Sequence, residues 1–392
     1  LVKTLIHGGD AYTPDGLIHD AVVLVDGEQI VVVGPQSQAR SAGAFDIELD
    51  AHGGVISPGF IDLQINGAGG RFLTEESTVE AVQEMARTVA RYGCTSFLPT
   101  VITSDFQTML AAVRAVHEAS EQTKDGARVL GVHLEGPFIN PEASGVHDTA
   151  FIRPPSQDDL DTLWEASGGG IKLMTLAPEM PGAGELIRAA GRYGIAVAVG
   201  HTRADYSQMM EAVAAGAGLA THLFNAMGGL TARDPGATGA VLASTDFMAS
   251  LIADGYHVHP AMMELALRTK GPEGLVLVTD AMPPMGTDLT EFTLYGETVT
   301  VRDGACFMAD GTLAGSMLTM DRAVRNMRDL VDAPVEDALR MASSNPASVI
   351  GESDVRGTIE VGKAADIVVM DSDLNVTATI VGGRIVYQTG AA

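Results

Sequence analysis

A chain of 392 residues, 46% hydrophobic and 19% charged, is long enough to bury a large core in one big domain with a smaller one beside it. Its 24 Lys and Arg stand against 50 Asp and Glu, a net charge of −26 that repels nucleic acid and anionic lipid and so argues against both as partners. That field is screened over about 8 Å at physiological salt, so it does not exclude a local cationic pocket for a phosphate.

Cys94 and Cys306 lie far apart in the sequence and read as free thiols in a reducing compartment. No run approaches roughly 18 uninterrupted apolar residues, and residues 1–9 lack an apolar core with a cleavage site. The expectation is a soluble, cytoplasmic protein.

In chain order, residues 1–56 hold short strands at 1–6, 21–25 and 30–33, separated by Gly and Asp turns. They have too little apolar surface to fold alone. Paired with similar runs at 367–370 and 384–387, within residues 351–392, they are predicted to form a small β-sandwich built from both termini. Residues 57–350 alternate β-rich runs with helical stretches, the pattern of a parallel sheet with crossover helices. Eight such runs occur, at 60–65, 95–100, 129–135, 172–176, 196–201, 219–225, 248–254 and 275–280. With helices predicted at 79–92, 106–122 and 184–193, they make a (β/α)8 TIM-type barrel a better reading than an open sheet. No dinucleotide glycine fingerprint follows the first strand. A further β-rich patch at 292–308 precedes a helix at 319–330 and is predicted as a hairpin insertion near 290–315.

A barrel of this kind carries its site at the carboxyl ends of the strands. Glu135, His201, His222 and Asp280 stand there, with His257 just beyond strand seven. A buried carboxylate and two imidazoles at one rim are costly unless paired or metal-bound. One Glu with two His is a ligand set for a catalytic zinc that keeps a position open for water; iron, cobalt or manganese also suit it. Taken singly, a His ending a strand is more often a hydrogen-bonded structural residue, and His133 on strand three is assigned to the barrel wall. His7, His19, His52 and His117 fall outside the rim. Asp280 is placed to take a proton from a metal-activated water and pass it to a leaving group, the alternative being an Asp that caps a loop amide. Residues 136–147 are rich in turn formers and long enough for a lid, whose His147 either reaches the site or stays solvated. Arg233 follows His222 and Asn225 on a loop. It suits bidentate phosphate contact, or pairs with Asp234 at the surface.

Several motifs resemble one family: Pro58-Gly59-Phe60-Ile61-Asp62 followed by Gln64 and Asn66-Gly67, His133-Leu134-Glu135-Gly136-Pro137, Gly200-His201-Thr202, His222-Leu223-Phe224-Asn225-Ala226-Met227, Asp254-Gly255-Tyr256-His257 and Val278-Thr279-Asp280-Ala281. Over nearly its whole length the chain is similar to the N-acetylglucosamine-6-phosphate deacetylases of the amidohydrolase superfamily. Most of that superfamily ends the first barrel strand with a His-x-His pair; Gln64 and Asn66 stand there instead, and with the Asn-Ala-Met after His222 they select the deacetylases. The resemblance implies that Glu135, His201 and His222 bind one tight metal, with a weaker second ion left open. It implies that Asp280 acts as base and then acid, and that His147 polarises the acetamide carbonyl. Asn225, Ala226, Arg233 and His257 would hold the sugar phosphate, and Ala314, Gly315 and Ser316 would close the pocket beside the sugar. A homodimer is implied, with Arg233 or His257 reaching across. The implied reaction is hydrolysis of N-acetylglucosamine 6-phosphate to glucosamine 6-phosphate and acetate, in amino-sugar catabolism and cell-wall recycling. The galactosamine epimer is an alternative substrate. A cyclic amidase is a poorer alternative, because many such enzymes carry a carbamylated lysine at the end of strand four, whereas Lys172 begins that strand. A non-catalytic sugar-phosphate sensor is opposed by the full ligand set and Asp280.

Overall fold

The computed structural model describes residues 2–37 and 44–390. Eight parallel strands form the barrel: Phe60–Ile65, Cys94–Ile102, Val132–Glu135, Ile171–Leu176, Ala196–Val199, Leu219–Ala220, Met248–Ile252 and Leu275–Val278, numbered one to eight below. Each pairs with its neighbours in parallel register from strand one to strand eight. Strands one and two are buried at every position, as expected where side chains fill the barrel on one face and meet helices on the other. Several helices begin on side-chain caps that satisfy otherwise orphaned amides, among them Thr78 before Val79–Ala90, Asp105 before Phe106–Gln122, and a capping box of Asp205 with Gln208 before Tyr206–Ala215. Val82, Met85 and Val89 of the first of these are buried against the sheet, each stabilising by about 1.5–3 kcal/mol.

The ring closes differently from its other joints. Strands eight and one share a single parallel bridge, Ile65 with Ala281, and the Asp280 amide donates to Gln64 O at 2.8 Å. The Asn66 and Gly67 amides donate to Ala281 O at 2.9 and 3.0 Å, and a side chain supplies the rest. The buried Asp62 carboxylate accepts from Thr279 N at 3.2 Å, Thr279 Oγ1 at 2.5 Å and Gln64 N at 3.2 Å.

Both ends of the chain enter one eight-stranded sheet in which Val55–Pro58 lies between Lys3–Thr13 and Ile367–Met370. Its core of Ile6, Val23, Val25, Ile30, Ile56, Ile367, Val369 and Ile380 is separate from that of the barrel. Arg356 ties this sheet to the barrel through Asp366, Glu352 and Ser96 Oγ. Lys172 pairs with Glu352 at 3.1 Å.

The insertion is larger than a hairpin. Glu291–Leu294, Glu297–Arg302, Ala305–Phe307 and Leu313–Ser316 form a four-stranded antiparallel sheet. The last strand, Leu-Ala-Gly-Ser, has weak intrinsic β-preference and is fixed by its neighbours, so sequence propensity does not reveal it. Ser316 bridges Ala281, which hangs the insertion on the end of strand eight. No described helix is long and apolar enough to cross a membrane.

Candidate active site

Glu135 is the last residue of strand three, while His201, His222 and Asp280 stand two positions beyond the ends of strands five, six and eight. The sequence reading ran those strands two or more residues further. The ladders stop early because His201, His222 and Asp280 have φ of 48°, 31° and 49°, left-handed values that end extended structure. Each such non-glycine residue costs on the order of 1–3 kcal/mol and persists only where its surroundings over-determine it. They do so here: His222 N donates to Ser250 Oγ at 2.7 Å, Asp280 N to Gln64 O, and His201 O accepts from Asn140 N at 3.0 Å. The result is that three side chains leave the barrel wall and converge with Glu135.

Glu135 Oε1 lies 3.1 Å from His201 Nε2 and 3.0 Å from His222 Nε2, and the two nitrogens are 3.1 Å apart. His201 Nδ1 is 2.9 Å from Ala143 O, which only accepts, so Nδ1 carries the proton and Nε2 presents a lone pair. His222 Nδ1 is buried without a hydrogen-bond partner among the described residues, so the protein leaves this tautomer unfixed. A carboxylate oxygen and imidazole nitrogens crowded together in this way fit one cation: ligands about 2.0–2.2 Å from zinc sit roughly 3.3 Å from each other. A second candidate group shares two members, because Glu135, His147 and His201 each offer an atom within 4.8 Å of the others. The group with His222 is the tighter of the two.

Burial alone would raise the Glu135 carboxyl, but hydrogen bonds from His201 and His222, with His147 nearby, outweigh it and hold the group well below its ordinary range. Asp280 goes the other way. Burial, then the Glu135 charge, push it up to about 6 against the pull of His222, His257 and the Asn66 hydrogen bond. Asn66 Nδ2 donates to Asp280 Oδ1 at 2.7 Å, and Gln64 Nε2 donates both to that oxygen at 3.3 Å and to Glu135 Oε1 at 2.9 Å. The two amides that mark a missing histidine pair in the sequence are therefore the donors that orient both carboxylates. Their signal was the i, i+2 spacing, which puts both side chains on one face of the strand.

His147 is buried, and burial depresses it to about 3, so it is neutral. Its Nδ1 meets Thr103 Oγ1 at 2.9 Å and its Nε2 faces Glu135 Oε2 at 4.0 Å. His257 is held by Asp254, through Nδ1 at 2.6 Å and the backbone amide at 2.8 Å. His133 lies in the wall, its nitrogens 3.2 and 2.8 Å from Thr100 and Thr175 hydroxyls.

A cavity of about 210 Å³ opens on this cluster, and His147, Asn225, Ala226, His257 and Gly315 join its lining. Ala314 and Ser316 are buried beside it; Ser316 Oγ donates to Thr279 O at 2.6 Å. Arg233 is exposed and does not line the cavity of its own chain.

A closed (β/α)8 barrel with a carboxylate and imidazoles gathered at its carboxyl rim defines a class, and the chain belongs to it: the amidohydrolase family profile matches residues 55–386. Within that class, the chain is 39% identical over 337 residues to an N-acetylglucosamine-6-phosphate deacetylase of Bacillus subtilis (strain 168), covering 85% of each. It is also 39% identical over 340 residues to an N-acetylgalactosamine-6-phosphate deacetylase of Shewanella sp. (strain ANA-3), covering 86% of this chain and 85% of the relative. The crystal structure of N-acetylglucosamine-6-phosphate deacetylase from Pasteurella multocida superposes with a TM-score of 0.91 at 36% identity, covering 98% of this chain and 99% of that one.

Proposed function

We propose that this enzyme hydrolyses N-acetylglucosamine 6-phosphate to glucosamine 6-phosphate and acetate. The observation that carries the reading is the Asp280 carboxyl, aimed by Asn66 and Gln64, sharing one cavity with a Glu-His-His cluster. Glu135, His201 and His222 would hold a divalent cation, zinc by ligand preference although iron, cobalt and manganese suit the same atoms. When bound, such an ion supplies Lewis acidity, lowering the pKa of a coordinated water from about 15.7 towards 7 and polarising the amide carbonyl. Asp280, oriented by Gln64 and Asn66, removes the proton from the attacking water and returns it to the departing amine nitrogen as the C–N bond breaks. His147 is assigned to polarise the carbonyl oxygen as negative charge develops there.

The sugar phosphate is assigned to His257 and the backbone at Asn225 and Ala226, which line the same cavity. Arg233 is assigned to the same phosphate, but in the site of a second copy of the chain, since it lies outside its own. This makes the working unit a homodimer. Two buried free cysteines support a cytoplasmic setting. The galactosamine epimer remains a second substrate to test, because the Shewanella relative is as similar as the Bacillus one.

Acetate release by purified protein, before and after chelation and after zinc is restored, tests the reading on both epimers. Release that is lost on chelation and recovered with zinc is the expected result. A folded, metal-loaded protein that releases no acetate from either epimer refutes it.

A further inference from the structure

The cavity lining is of two kinds. His257 and Asn225 are polar, whereas Ile102, Val146, Met282 and Leu294 are apolar and pack together. These four come from four different elements: the end of strand two, the loop carrying His147, the loop after strand eight, and the first strand of the insertion. Three of them are close along the chain or across the ladder to a polar member of the site. Ile102 is the register partner of Glu135, Val146 precedes His147, and Met282 follows Asp280 by two residues. Ile102, Met282 and Leu294 are 4%, 2% and 0% exposed and belong to a small apolar cluster of their own, which also holds Phe72, Cys306 and Ala314.

We infer that this apolar wall is the pocket for the acyl group, and that the inserted sheet sets the longest acyl chain the enzyme accepts, selecting acetyl over larger groups. The inference rests on the amide-hydrolase reading above. The scissile amide must lie between Asp280 and the Glu135 cluster. With the phosphorylated sugar assigned to the polar residues, the apolar ones are left for the substituent on the carbonyl carbon.

The wall is braced from behind. A Cβ on Gly315 would lie 2.4 Å from Met282 Cγ and 3.0 Å from Asp280 O, so Met282 has no room to retreat towards the insertion. Tyr295 OH donates to Thr103 O at 2.6 Å, and the hydroxyl of the same Thr103 meets His147 Nδ1 at 2.9 Å. The insertion and His147 are thus registered to one residue, which fixes the depth of the pocket relative to the reacting carbon. In a pocket that cannot relax, one methylene changes kcat/KM by on the order of 10- to 200-fold.

The test compares kcat/KM for N-acetyl-, N-propionyl- and N-butyryl-glucosamine 6-phosphate in wild type, Leu294→Ala, Met282→Ala and the volume-conserving Leu294→Met. Wild type should fall by about 10-fold or more from acetyl to propionyl and again to butyryl. Leu294→Ala and Met282→Ala should shift the propionyl-to-acetyl ratio towards propionyl by about 10-fold, while Leu294→Met keeps the wild-type ratio. A ratio is read on the same active molecules, so partial unfolding does not move it. Equal rates on all three substrates in wild type, or active Ala variants with the wild-type ratio, would overturn the acyl pocket while leaving the hydrolase reading intact. A wild type inert towards all three overturns both.

Discussion

Three imidazole and carboxylate side chains reach the site because their own backbones turn left-handed, and the chemistry depends on that turn as much as on residue type. Asp280 is the most exacting case. Its carboxyl is raised to about 6 by burial and by Glu135, and it is aimed by two amide donors. Asp280→Asn keeps the shape and both neighbours but cannot carry a proton, so kcat should fall by on the order of 10²–10⁴ with sugar-phosphate affinity nearly unchanged. Turnover near wild type in that variant would remove Asp280 from its role. The identities of Glu135, His201, His222 and Asp280 were legible in the sequence because strand ends of a barrel are where chemistry collects. Gln64 and Asn66 were read only as an absence, since an amide does not announce which carboxylate it will serve until the barrel closes. Arg233 was read from its type alone, and its own chain does not bring it to the cavity.

At the scale of elements, the joint between strands eight and one rests on Asp62. Burial outweighs its three hydrogen bonds and raises it from 3.8 to about 7. Between about pH 4 and pH 7 the folded state therefore binds more proton than the unfolded chain, and stability from this group falls as pH rises through that window, by up to about 1.4 kcal/mol per unit. Asp62→Asn cannot titrate. It also sets a donor against Thr279, at a cost of about 1–3 kcal/mol. Denaturant unfolding should show the deficit of Asp62→Asn relative to wild type narrowing between pH 4 and pH 7; a flat or widening deficit contradicts this account. The sequence located the eight strands by their apolar runs and turn signals. It missed the strand Leu313–Ser316, whose small residues carry no propensity, and it overran strands five, six and eight, because positive φ at a His or an Asp leaves no mark on hydrophobic pattern.

For the whole molecule, the exposed Arg233 turns the proposed phosphate contact into a question of assembly. Arg233→Ala and Asp280→Asn should each be weak alone, the first through KM and the second through kcat. Mixed under conditions that exchange subunits, they should recover activity, because one of the two sites in a heterodimer then has an intact Asp280 facing an intact Arg233. No recovery with exchange demonstrated would return Arg233 to an ordinary surface residue. The charge of −26 gives such a cation a role: an anionic substrate meets repulsion from this surface once it is within about 8 Å, and a local arginine offsets it there.

The joint at Asp62 also says where the barrel should fail first. Every other neighbouring pair of barrel strands is held by its own ladder, and this one by a single bridge, three backbone hydrogen bonds just past the strand ends and a carboxylate. Amide protons at Thr279, Asp280 and Ala281 should be among the quickest in the barrel to exchange with solvent. Parting there would carry Gln64 and Asn66 away from Asp280 while Glu135, His201 and His222 stay on intact strands. On warming, the protein should keep its hold on a cation for longer than it keeps its proton carrier, and so lose catalysis before it loses its metal.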